Sequence, residues 1–118
     1  GYLAPRFGST LQAVKAHRKV DPLAFPGIAD LTALVDFAAL AEIARTGGAE
    51  WLSATTQGVW LRALGIEARA AALGGEAVAR DLHRLVHAEE MGELFKVMAL
   101  GGGGWPAGAG FGAGFAPP

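Results

Sequence analysis

The sequence contains no cysteine, so disulfides, thiolate metal sites and a cysteine nucleophile are excluded outright. That absence fits a reducing compartment, where disulfides do not persist. An excess of one charge is missing too: 10 Lys and Arg stand against 11 Asp and Glu, for a formal net charge of −1. This balance gives no electrostatic case for nucleic acid or an acidic membrane surface as a partner. No apolar run approaches the ~20 residues of a spanning helix. The opening Gly1-Tyr2-Leu3 has neither a Met nor a signal-peptide pattern, and it is expected to lie inside a longer protein.

What is present is a chain of 118 residues, 52% of them apolar, enough for one small domain and too little for two. The apolar set is weighted towards Ala, which contributes little buried area per residue. Basic residues are scattered, and only Lys15 to Lys19 form a small cluster, which reads as a solvated loop.

Residues 1–30 read as extended and loop-like. Thr10-Leu11-Gln12-Ala13-Val14 alternates as a short strand does, Pro22, Pro26 and Gly27 break regular structure, and 31–35 is again β-compatible. The first clear helix follows Asp36, with Phe37, Leu40, Ala41 and Ala44 on one face and Gly47-Gly48 as its stop. Trp51-Leu52-Ser53-Ala54 reads as an apolar strand. Thr55 or Thr56 then caps a helix carrying Trp60, Leu61 and Leu64, closed by Gly65. Residues 66–73 are helical up to Gly74-Gly75, and a further helix runs from about Glu76 to His87 with Val78, Leu82, Leu85 and Val86 as its apolar stripe. The segment 94–100 has the length and bulk of a buried strand, although periodicity alone allows a continued helix. From Gly101 onward Gly, Ala and Pro dominate, which predicts a mobile tail. Its glycines precede no helix, so they are not a dinucleotide-type loop. Alternating strand and helix make α/β the better class, yet two or three strands are few for a free-standing sheet.

Three stretches carry a family resemblance. The first is Gly8-Ser9-Thr10-Leu11-Gln12-Ala13-Val14, continuing through Asp21-Pro22-Leu23 and Pro26-Gly27 to Ala29-Asp30-Leu31-Thr32-Ala33-Leu34-Val35-Asp36-Phe37. The second is Thr56-Gln57-Gly58-Val59-Trp60-Leu61-Arg62-Ala63-Leu64-Gly65-Ile66 with Arg69, and the third is Met91-Gly92-Glu93-Leu94-Phe95-Lys96-Val97-Met98-Ala99-Leu100. In this order and spacing they resemble the C-terminal part of MidA-type S-adenosylmethionine-dependent methyltransferases. That family includes the mitochondrial protein-arginine methyltransferase that assists complex I assembly.

The resemblance implies the C-terminal portion of a Rossmann-like class I methyltransferase fold with an inserted helical segment. Gly1-Tyr2 would then lie just past a fifth strand and residues 1–36 would be an acceptor-side loop. A crossover helix and sixth strand would occupy 37–54, a helical insertion 55–90, a closing antiparallel strand 91–100, and a Gly/Ala/Pro-rich tail 101–118. It also implies S-adenosylmethionine as cofactor, bound by an N-terminal half absent from this chain, which makes the chain alone inactive. The implied substrate is protein, arginine in particular. The implied location is the cytoplasm of a bacterium or the mitochondrion of a eukaryote. A non-catalytic interaction or assembly module is the alternative function.

No catalytic residue is identified. Open α/β sheets bind ligands at the carboxyl ends of strands, which directs attention to the loop 8–36. If the acceptor is an arginine, a carboxylate can pair with its guanidinium, and Asp30 and Asp36 are the candidates. Asp36 reads first as a helix N-cap, and Asp30 divides evenly between an Asx-turn and ligand duty. Thr32 reads as a strand residue that can also donate to an acceptor. His17 and Arg18 are exposed candidates, while Gln57 lies near a helix start, where capping or core bonding outweighs catalysis. His83 and His87 share a helix face, with Glu90 nearby. No third ligand is fixed by spacing, so a solvated helix edge is the better reading and no metal is expected.

Overall fold

The computed structural model describes residues 7–106 and 108–112, and the readings placed on Gly1-Tyr2 fall outside them. The described residues form two antiparallel sheets and four helices.

The first sheet contains β1 (Gln12–Lys15), β2 (Arg18–Val20) and β3 (Asp30–Thr32) in the order β2-β1-β3. The strand anticipated at 10–14 thus begins two residues later, the β-compatible 31–35 contributes only its first two residues, and β2 was not anticipated. Its turn explains why. Ala16 and His17 both sit at positive φ, 48° and 61°, as a two-residue type I′ hairpin turn requires. Neither is the Gly, Asn or Asp that marks such a turn in a sequence. The basic run is therefore the tip of a hairpin rather than a loop. Left-handed backbone costs a residue with a Cβ roughly 1–2 kcal/mol. Replacing His17→Gly should accordingly raise stability by about 1 kcal/mol, read as a higher midpoint in chemical denaturation. Between β2 and β3 the Asx-turn is made by Asp21, whose Oδ1 accepts from the Leu23 N–H at 2.8 Å.

The second unit begins at α1 (Phe37–Thr46). Asp36 is its N-cap, with Oδ1 accepting from the Ala39 N–H at 2.9 Å, and the Phe37 side chain is buried. On its exposed side Arg45 donates to Glu42 at 2.6 and 3.1 Å. This hydrogen bond and its charge hold the Glu42 carboxyl below its ordinary range and raise the Arg45 guanidinium above its own. The helix stops at Gly47, and β4 (Glu50–Thr56) follows, longer at both ends than the anticipated 51–54. Thr56 ends β4 and caps α2 (Gln57–Ala63). After the left-handed Gly65 come α3 (Ile66–Leu73) and, past Gly74-Gly75, α4 (Glu76–Val86). A wide irregular turn at Ala88–Gly92 then leads to β5 (Lys96–Gly101).

β4 and β5 pair antiparallel, with Trp51 opposite Leu100, Ala54 opposite Met98 and Thr56 opposite Lys96. The strand starts at Lys96 rather than 94, because residues 93–94 still belong to the helical turn and Leu94 and Phe95 remain exposed. β5 is half-buried along most of its length rather than fully covered.

Among the described residues the buried apolar set is Ala13, Phe37, Ala54, Val86 and Phe111. Two of these are Ala, and no large side chain is fully enclosed. The Cα radius of gyration is 17.3 Å, with extents of 46 × 45 × 20 Å, against about 13.5 Å for a compact domain of this length. The molecule is a flat plate with little interior. The first sheet adds to this, since none of its strands packs broadly on the helices or on the second sheet.

Candidate functional site

The first sheet gathers most of the sequence candidates. Side chains alternate along a strand, and directly paired residues of an antiparallel sheet share a face. Val14 is opposite Asp30 on one side and Lys19 on the other, and Gln12 is opposite Thr32. Asp30, Thr32, Gln12 and Lys19 therefore share one face, with Val14 at its centre. The other face carries Ala13, Val20 and Leu31, together with the pair Lys15 and Arg18.

Asp30 opens β3 and is exposed. It makes no Asx-turn, and its carboxylate has no hydrogen bond or ion pair among the described residues. A carboxylate in this state can take a cationic group without first giving up a partner. Thr32 stands two residues on along the same exposed strand. Lys19 lies two strands from Asp30, roughly 10 Å at the usual strand spacing, so it flanks the carboxylate without neutralising it.

The remaining candidates lie off the Asp30 face. Asp36 is half-buried and committed through Oδ1 to the cap of α1. His17 occupies the hairpin turn and Arg18 points from the face opposite Asp30. Gln57 begins α2, and its Nε2 donates to the Leu85 carbonyl at 2.9 Å, bracing α2 against the end of α4. The His83 and His87 rings stack with centroids 4.3 Å apart. His87 Nδ1 accepts from the Glu89 N–H. A metal-bound imidazole ordinarily donates its second N–H, so this arrangement suits a turn and not a ligand pair.

Gln12 and Lys19 were missed as members of the Asp30 face. The signal that would have found them is strand register, which depends on the hairpin turn that Ala16-His17 conceals. The helical unit adds a shallow apolar groove between α3 and α4, walled by Ile66, Leu73, Val78 and Leu82 with Arg69 and Asp81 at its rim.

Comparison with known proteins adds chemistry to this geometry. Residues 1–55 match a family described as S-adenosyl-L-methionine-dependent methyltransferase. Over 99 residues the chain is 35% identical to the mitochondrial protein arginine methyltransferase NDUFAF7 homolog of Drosophila melanogaster, covering 77% of this chain and 23% of that protein. Its fold matches the crystal structure of a Burkholderia thailandensis protein bound to S-adenosyl-homocysteine, with a TM-score of 0.79 and 36% identity, over 89% of this chain and 29% of that one. A native crystal structure of a protein of the same superfamily and bacterium matches equally well, at TM-score 0.79 and 36% identity, over 89% of this chain and 30% of the other. The chain thus spans less than a third of the length of each of these proteins.

Proposed function

Because the chain belongs to the MidA-type family of S-adenosyl-L-methionine-dependent methyltransferases, we propose that it forms the C-terminal part of such an enzyme, one that methylates arginine in a protein substrate. The observation that carries this reading is the match, at 36% identity and a TM-score of 0.79, to a protein holding S-adenosyl-homocysteine. The arginine specificity rests on the name of the Drosophila relative. The enzyme would work in the cytoplasm of a bacterium or in the mitochondrion of a eukaryote.

S-adenosyl-L-methionine is the cofactor of the family. A glycine-rich cofactor loop needs a strand before it and a helix after it. Among the described residues β3 enters α1 through Ala33-Leu34-Val35-Asp36, and β4 runs directly into α2. Neither junction contains glycine, and the glycines after β5 lead into no helix among the described residues. These residues do not fit the cofactor's methionine end, and those contacts would fall to the rest of the protein. β4 and β5 are taken as the closing strands of a Rossmann-like sheet, with α1 as the crossover before them and α2 to α4 as the insertion. Their antiparallel pairing supports this.

The segment 8–36 then forms the acceptor-side wall, with Asp30 as the carboxylate that pairs with a cationic acceptor and holds its guanidinium in plane. Comparing Asp30→Asn with Asp36→Asn in the full-length protein tests this. Asn caps a helix nearly as well as Asp, so Asp36→Asn should change little. Asp30→Asn should keep the thermal midpoint and the cofactor affinity yet lose about tenfold or more in transfer rate, as loss of a charge-assisted bond of roughly 1.5–3 kcal/mol predicts. Unchanged turnover would remove Asp30 from the site, and a matching fall in stability would make it structural.

A further inference from the structure

The tip of the β1–β2 hairpin is built against its own stability. Lys15 and Arg18 are direct cross-strand partners, and like charges placed opposite one another are destabilising. Lys19, one residue further on, lies on the other face, with Asp30. None of the three makes an ion pair among the described residues. The two residues between Lys15 and Arg18 are the turn pair at positive φ, a further strain in a short segment. Among the described residues the local compensation is the Phe25 ring, whose centroid lies 3.9 Å from Lys15 Nζ. A protein that breaks local rules without an internal gain commonly does so at a functional position. Two cations on one sheet face, without an ion pair among the described residues, direct attention to an anionic partner.

The surroundings of Lys15 and Arg18 select the kind of anion. Leu31, on their sheet face, is 60% exposed, and Leu23 and Ile28, which flank Phe25 in its loop, are 83% and 66% exposed. A nucleic acid would bring phosphates and gain nothing from these aliphatic groups. The formal charge of −1 also gives a polyanion no long-range attraction. A polypeptide with carboxylates beside apolar side chains satisfies both halves of the surface, since apolar anchors supply affinity and complementary charge supplies orientation.

We infer that the hairpin tip and the 21–29 loop form a docking surface for an acidic, apolar-flanked segment of a protein. That protein is the methyl acceptor, a step that rests on the acceptor-side reading above. Lys15 and Arg18 lie on the face opposite Asp30, so docking and acceptor pairing are separable by mutation.

The test is fluorescence anisotropy with a labelled peptide of alternating Glu and Leu, titrated with the full-length protein in the absence of cofactor. A Gln-Leu peptide and a single-stranded oligonucleotide serve as comparison probes. The Glu-Leu peptide should bind best of the three. Arg18→Gln should weaken it about tenfold, in line with loss of a charge-assisted contact, while the thermal midpoint holds or rises because a like-charge pair is relieved. Equal affinity for the Arg18→Gln variant, or tighter binding of the oligonucleotide, would overturn the proposal, as would a fall in midpoint matching the loss of binding. No methyl transfer enters this assay, so it stands or falls apart from the catalytic reading. Peptide binding alongside full turnover in Asp30→Asn would leave the docking surface and remove the acceptor site.

Discussion

Replacing Gly92→Ala should destabilise the protein by about 3 kcal/mol or more, at the upper end of what overpacking costs. A Cβ at Gly92 would lie 2.2 Å from the Val86 carbonyl oxygen and 2.7 Å from that of His87. Both neighbours are backbone, so no side-chain rotation relieves the clash. Gly58 faces the same place from α2, where a Cβ would lie 2.6 Å from the Val86 oxygen and 3.2 Å from Gly92 Cα. The start of α2, the end of α4 and the turn before β5 therefore meet backbone to backbone. Gly58 makes the more telling comparison, because Ala in place of a helical Gly ordinarily gains roughly 0.5–1 kcal/mol. Here the sign should reverse. Gly47→Ala is the control, as its Cβ would make only ordinary contacts at 3.5 Å. Denaturant midpoints that fall for Gly92→Ala and Gly58→Ala and hold for Gly47→Ala are the expected pattern. A stabilised Gly58→Ala would contradict the close approach.

Phe111→Ala should release the segment 108–112 from α2. The Phe111 ring is buried, with its centroid 6.3 Å from that of Trp60, and Trp60 Nε1 donates to the Ala109 carbonyl at 3.1 Å. Gly110, at a φ of 85°, brings the chain close enough that a Cβ would stand 2.8 Å from the Trp60 ring. Burying a Phe side chain contributes about 1.5–3 kcal/mol, whereas fixing a residue's backbone costs about 1–2 kcal/mol, so over five residues the ordering cost is at least as large as what Phe111 returns. Docking is therefore marginal, and losing its main anchor, at about 3 kcal/mol, should undo it. The Trp60 indole proton should exchange with solvent about 100-fold faster in the variant, while the global denaturation midpoint moves little. Unchanged exchange would show that the segment is held by something other than Phe111.

This contact also marks a limit of the sequence. Gly, Ala and Pro after residue 100 predict mobility, and the composition conceals that a single Phe finds a Trp on α2. Residues 113–118 lie outside the described part of the chain. The helices were legible because their signals are local: Asp36 and Thr56 cap α1 and α2, and Gly65 and Gly74-Gly75 separate α2, α3 and α4. The β4–β5 pair was legible in kind, from two apolar runs, but its ends were not. Thr55 and Thr56 prolong β4 up to the helix cap, and residues 93–95 complete a turn before β5 begins. The first sheet was the least legible part. Its hairpin depends on Ala16 and His17 at positive φ, and neither residue type announces such a turn in a sequence. Asp30 could be named from its position in a motif. Its unengaged carboxylate and its neighbours Gln12 and Lys19 required the register.

If this chain contributes the acceptor side of a methyltransferase, with the cofactor contacts elsewhere in the protein, it should not bind S-adenosyl-L-methionine by itself. Calorimetric titration with S-adenosyl-L-methionine, of the isolated chain and of the full-length protein in parallel, tests this most directly. Saturable binding by the full-length protein and none by the chain alone is the expected result. Low-micromolar binding by the isolated chain, or none by the full-length protein, would contradict it.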